Sequence, residues 1–178
     1  MPTAVEILKS KLYDTLFLPE NLVKGKGHLF AVPIGQYAGR KIKSWEHTNL
    51  LCAGAMDAPR SFVMRQVRCA FYQGGEFISP MAGVLRFQQL GKSAKAFNLE
   101  SITSEGCKSY ICEPDWIPSR DYLKREDEDH PCICELKSQE WFGFELELER
   151  DPDIPTEFVL VLLGDLWRPA ALCQNASA

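Results

Sequence analysis

The residues best suited to chemistry in this sequence sit in the stretch HPCIC, where His130, Cys132 and Cys134 could offer one imidazole and two thiolates to zinc. The spacing argues against a zinc site. Cys-x-Cys in an extended chain puts both sulfurs on one face, whereas a zinc ribbon presents Cys-x2-Cys turns in pairs. Cys107 and Cys112 would complete a ligand set only if the fold brought them close. Free cysteines are otherwise small apolar side chains that favour the core, and that is the reading adopted for them.

Other constellations fail on similar grounds. A cupin enzyme converges histidines and a carboxylate on a metal from neighbouring strands. This chain has only His28, His47 and His130, with no His-x-His pair. The nucleophile elbow, the phosphate-binding P-loop, the HExxH helix and a GxGxxG turn after a strand are all missing, and Gly25-Lys26-Gly27 is too short to stand for one. The acidic run REDEDH, Arg125 to His130, lacks the register and the distal Glu of a calcium loop and reads as a solvated segment. No catalytic, cofactor-binding or metal-binding residue is therefore assigned, no cofactor is expected, and the chain is not expected to be an enzyme.

Aromatic residues are a different resource. Trp45, Trp116, Tyr122 and Trp141 could form a platform, because flat rings stack on the apolar faces of sugars. Trp116 and Tyr122 fall in a loop-like stretch, which makes a carbohydrate- or receptor-binding β-sandwich the alternative function, with a cupin-like metalloenzyme third. In sandwich proteins such rings more often plug the ends or anchor a subunit interface.

The elements that must position these residues follow from bulk properties and periodicity. A chain of 178 residues fits one domain with a sizeable core. Apolar residues at 46% and charged residues at 25% give a globular balance. The net charge of −4 offers no basic surface to neutralise phosphates, so direct nucleic-acid binding is not expected. The N-terminal stretch has no apolar signal region, and no apolar run approaches the ~20 residues of a membrane span, so a soluble, unsecreted chain is expected. The seven cysteines, Cys52, Cys69, Cys107, Cys112, Cys132, Cys134 and Cys173, are odd in number and are expected to be reduced.

Period-two alternation is clearest in FGFELELE, where Phe142, Phe144, Leu146 and Leu148 share one face and Glu145, Glu147 and Glu149 the other. Strands are predicted over 28–35, 61–72, 83–89, 92–98, 108–113, 132–137, 141–149 and 157–167. Residues 5–18 place Val5, Leu8, Leu12 and Leu16 near helical spacing before Pro19, which predicts a short helix or an extended arm. Residues 36–60 and 114–131 read as long connections. Successive strands with turn-rich connections imply an all-β antiparallel fold, and the number of strands together with two long crossings favours an eight-stranded jelly-roll β-sandwich, a single barrel. The expected layout is an N-terminal arm over 1–26, one jelly-roll domain over 27–169 and a C-terminal tail over 170–178.

The order LYDTLFLPENL (12–22), HLFAVPIGQ (28–36), TNLLCAGAMDAPRSFVMRQVRC (48–69), LGKSAKAFNL (90–99), then WFGFELELE and FVLVLLGDLWRP, resembles jelly-roll major capsid proteins of tailless icosahedral bacteriophages whose shells enclose a membrane. Many members join two barrels in one longer chain, and the length here fits the single-barrel branch. The resemblance implies a structural protein that self-assembles into the capsomers of an icosahedral virion. Its implied partners are copies of itself and a second capsid protein, with an internal membrane nearby. Its implied location is the capsid, assembled in the host cytoplasm.

Overall fold

The structure, a computed structural model, describes residues 5–92, 94–112 and 133–169. Among these it forms eleven strands and two short helices. The strands are β1 (Val5–Leu18), β2 (Lys26–Leu29), β3 (Tyr37–Ala38), β4 (Lys41–Ile42), β5 (Ser61–Gln73), β6 (Glu76–Ile78), β7 (Gly83–Gln89), β8 (Lys95–Asn98), β9 (Cys134–Leu136), β10 (Phe142–Leu148) and β11 (Thr156–Pro169), with α1 (Leu99–Ile102) and α2 (Cys107–Cys112) between β8 and β9. Every strand pairing is antiparallel. One sheet runs β1-β11-β5-β6 with β9 also on β5, a second runs β2-β10-β7-β8, and β3 and β4 make a small hairpin.

The two larger sheets enclose one apolar core. Leu12, Leu16, Phe62, Met64, Phe71, Phe158, Leu160 and Leu162 enter it from the first sheet, and Leu29, Leu85, Phe87, Phe142, Phe144 and Leu146 from the second. Phe144 lies 4.9 Å from Phe87 and 5.9 Å from Phe30, ring centre to ring centre, and Phe71 lies 4.9 Å from Phe158. Strand β10 alternates buried and half-buried residues along its length, as its sequence predicts.

Three expectations are corrected. The N-terminal helix or arm is instead the long strand β1, which pairs with β11 from Val5↔Pro169 to Leu18↔Thr156. Its C-terminal half is buried on both faces, so apolar Leu16 and Leu18 alternate with apolar Tyr13 and Phe17 and the period-two signal vanishes. The strand expected over 108–113 is α2. Cys107 and Ile111, four residues apart, both bury against Ala70, Tyr72, Val159 and Val161 on the outer face of the first sheet, a contact that helical spacing provides. The strand expected over 28–35 stops at Leu29, because Phe30 takes a left-handed φ of 61° and its N–H turns to the carboxylate of Asp14. Strands β3, β4 and β6 were not anticipated. The β5–β6 turn relies on Gly74 and Gly75 at φ of 58° and 89°, the geometry of a tight hairpin.

The β5–β11 ladder carries a register shift between Leu163 and Gly164. A Cβ on Gly164 would stand 2.0 Å from the carbonyl oxygen of Val63, so only glycine lets the strands close there.

Candidate functional site

The outer face of the first sheet is covered by two segments, α2 and the loop after β4, and a cavity opens between them. The loop is anchored residue by residue to the free side of β1. Asn49 accepts from the N–H of Tyr13 at 2.9 Å and donates to the carbonyl of Lys11 at 2.9 Å, while the Thr48 hydroxyl donates to the carbonyl of Tyr13 at 3.2 Å. The Tyr13 hydroxyl donates to the carbonyl of Trp45. Within the loop, Ser44 donates its N–H to Nδ1 of His47 at 3.1 Å. That bond makes Nδ1 the acceptor, so the neutral imidazole carries its proton on Nε2. Burial is the main reason that His47 is held below the usual histidine range.

The cavity, about 380 Å³, is lined by Thr15, Val159 and Glu157 from the sheet, Trp45, Glu46 and His47 from the loop, and Lys108 and Ile111 from α2. Trp45 is 59% exposed. Lys108 pairs with Glu157 at 2.6 Å and sits 4.4 Å above the ring of Tyr72. A second cavity of about 320 Å³ shares Glu157 and continues past Phe17, Lys41, Tyr72 and Gly74 to Glu20.

Beneath this loop lies a buried ion pair. Lys43, 1% exposed, reaches the carboxylate of Asp14, which is fully buried and also accepts from the N–H of Phe30. Burial pushes the Asp14 carboxyl above the ordinary range, against the opposing pull of Lys43 and of its hydrogen bonds. On the outer face Asp165 is bracketed by Lys9 at 2.9 Å and Arg65 at 2.6 Å. Burial alone would raise its carboxyl, but hydrogen bonds and charge from Arg65 and Lys9 outweigh that and hold it below the ordinary range.

Of the residues singled out by sequence, those that the structure describes do not come together. His130, Cys132, Trp116, Tyr122, Cys173 and the run Arg125 to His130 lie outside the described residues. Cys134 packs against the inter-sheet core, whereas Cys107 lies in the cluster on the outer face of the first sheet, so these two thiols are not brought together. Burial pushes the thiols of Cys69 and Cys107 up to about 11 and about 12. Among the described residues no three His, Cys, Asp or Glu side chains gather in a metal-binding arrangement. His28 and Trp141 border a different cavity of about 250 Å³ on the second sheet, where the Trp141 ring lies over Gly54 and Gly143. Sequence reasoning reached Trp45, weighed His47 only as a metal ligand, and missed Lys108 and Glu157. The one available signal was Asp14 inside the apolar run LYDTLFL, a charge that must find a partner if the run is buried.

Comparison of the chain with protein-family models, with curated proteins and with solved structures finds no match.

Proposed function

We propose that the domain is a single jelly roll and that it serves as a structural subunit of an icosahedral capsid, acting by self-association into capsomers. The observation that carries the reading is the nesting of the strand pairs. With β3, β4 and β6 set aside, eight strands remain, and in chain order the first pairs with the last (β1–β11), the second with the seventh (β2–β10), the third with the sixth (β5–β9) and the fourth with the fifth (β7–β8). Such nesting is what a chain laid out as one long antiparallel hairpin produces. The further pairings β11–β5 and β10–β7 roll that hairpin into two facing sheets. Viral coat domains share this architecture with lectins and cupins, so the step from fold to shell rests on the sequence resemblance.

Exposed apolar residues at both ends of the sandwich support a role in assembly. Leu51, Leu90 and Trp141 are exposed at one end, where the N–H of Leu90 bonds the carbonyl of Trp141, and Val23 and Ile154 are exposed at the other. Between the ends, the outer face of the second sheet carries alternating charges, with Lys26 3.1 Å from Glu145 and Arg86 3.0 Å from Glu147. Rows of this kind set register and partner choice across an interface. A second coat protein and a nearby membrane belong to the proposal through the resemblance alone.

The test is light scattering with negative-stain microscopy across a concentration series. Rings or shells are the expected products, since head-to-tail contacts that close give rings and contacts between rings give shells. A protein that stays strictly monomeric when concentrated, and that is absent from particles made by its source, would reject the reading.

A further inference from the structure

We propose that the cavity between the Trp45 loop and α2 binds a neutral saccharide, with the indole of Trp45 as the stacking surface. The inference stands apart from the capsid reading, and either can fail without the other.

Four observations converge on this ligand class. The cavity, about 380 Å³, falls in the ~300–1,000 Å³ range of small-molecule sites, and a neighbouring cavity of about 320 Å³ shares Glu157 with it, a place beside the first for a second sugar ring. Trp45 presents an exposed ring from a backbone that is fixed, its own carbonyl held by Tyr13 and its loop by the Ser44–His47 bond. A fixed backbone beneath an indole with only two side-chain torsions keeps the entropy lost on binding low, and the ring offers a flat apolar face. Hydrogen-bonding groups of both kinds surround it: the carboxylates of Glu46 and Glu157 accept from hydroxyls, and the Lys108 ammonium and the Nε2–H of His47 donate. Val159 and Ile111 supply an apolar floor.

Charge narrows the class. Among the described residues lining the two neighbouring cavities, Glu20, Glu46 and Glu157 face Lys41 and Lys108, and burial holds His47 below the usual histidine range. The lining is thus net acidic, which repels phosphorylated, sulfated and sialylated sugars and leaves uncharged hydroxyl-rich ones.

The experiment is saturation-transfer NMR with calorimetry on the whole chain. The neutral probes are methyl glucoside, methyl galactoside, methyl mannoside, N-acetylglucosamine, maltotriose and cellotriose, and the charged comparators are N-acetylneuraminic acid and glucose 6-phosphate. At least one neutral probe should bind with a Kd of roughly 1–10 mM, and where methyl glucoside is that probe, maltotriose or cellotriose should bind more tightly than the single ring. Trp45→Ala should weaken that binding by roughly tenfold or more, Glu46→Ala should weaken it several-fold, and Trp141→Ala should leave it unchanged. Circular dichroism of each variant verifies the fold. The proposal is overturned if no neutral probe binds, if only charged sugars bind, or if folded Trp45→Ala binds as well as the parent.

Discussion

Replacing Lys43 with Met tests whether the buried ion pair holds the β4–β5 loop to the sheet. Methionine roughly matches the length and apolar stem of lysine, so the substitution removes the ammonium and leaves little cavity. The Asp14 carboxylate would then be fully buried with no cation beside it, keeping only its hydrogen bonds to the Phe30 N–H and Thr48. Breaking a buried pair from one side costs about 3–5 kcal/mol. For a chain of this size that lowers Tm by about 6–20 °C. The loss should depend on pH in a defined direction. Burial already raises the Asp14 carboxyl in the folded state, and removing Lys43 raises it further, so folding of the variant favours the protonated acid. A carboxyl raised on folding contributes stability that is present below its unfolded value and is lost as pH rises through its folded value. The deficit of Lys43→Met relative to the parent should therefore be largest near neutrality and shrink as pH falls toward about 5, nearer the ordinary carboxylate range. Urea denaturation followed by tryptophan fluorescence measures both quantities. Adding Asp14→Asn, which keeps an acceptor for the Phe30 N–H without a charge, should recover a large part of the loss at neutral pH. A deficit below about 1 kcal/mol, or one indifferent to pH, would refute the reasoning, because a solvated lysine pair behaves in that way.

The two faces of β10 should separate cleanly by mutation. Phe144→Ala, whose ring packs on Phe30 and Phe87, should cost about 3–5 kcal/mol, whereas Glu147→Gln, partly exposed with Arg86 and Lys26 as partners, should cost no more than about 1 kcal/mol; equal losses of thermal stability would contradict the assignment of faces. Thiol labelling followed by peptide mass mapping should modify the exposed Cys52 before Cys69 and Cys107, which react only once the protein unfolds, since burial holds their thiols up at about 11 and about 12. Fast labelling of Cys107 in the native state would show that α2 does not stay docked on the sheet.

What sequence could and could not convey follows from how each strand is buried. Strand β10 was legible because one face meets the core and the other meets water and charge, which writes alternation directly into the residues. Strand β1 was illegible for the opposite reason: its second half is covered on the outer side by the β4–β5 loop and on the inner side by the core, so apolar residues occupy consecutive positions. Segment 107–112 is too short for either period to dominate, and only the docking of Cys107 and Ile111 on the sheet decides for a helix. The cavity beside Trp45 assembles residues 15, 45–47, 108, 111, 157 and 159, which no local spacing connects. Its lining became visible only when β1 and β11 were side by side.

That pairing of β1 with β11 also constrains the order of events during synthesis. Leu18 meets Thr156 and Val5 meets Pro169, so a strand made early waits for a partner made more than a hundred residues later. At translation rates of about 5–20 residues per second, the wait lasts from several seconds to about half a minute. Strand β5 shares the delay, because β11 lies between it and β1 in the sheet. Until Thr156–Pro169 emerges, two long apolar ribbons stand with open backbone hydrogen-bonding groups, the state most prone to pairing with a neighbouring nascent chain. Insertion of β11 closes both at once. A chain interrupted before Thr156 lacks the strand that joins β1 to β5 and keeps both edges open, a form unlike the finished domain in the backbone it exposes.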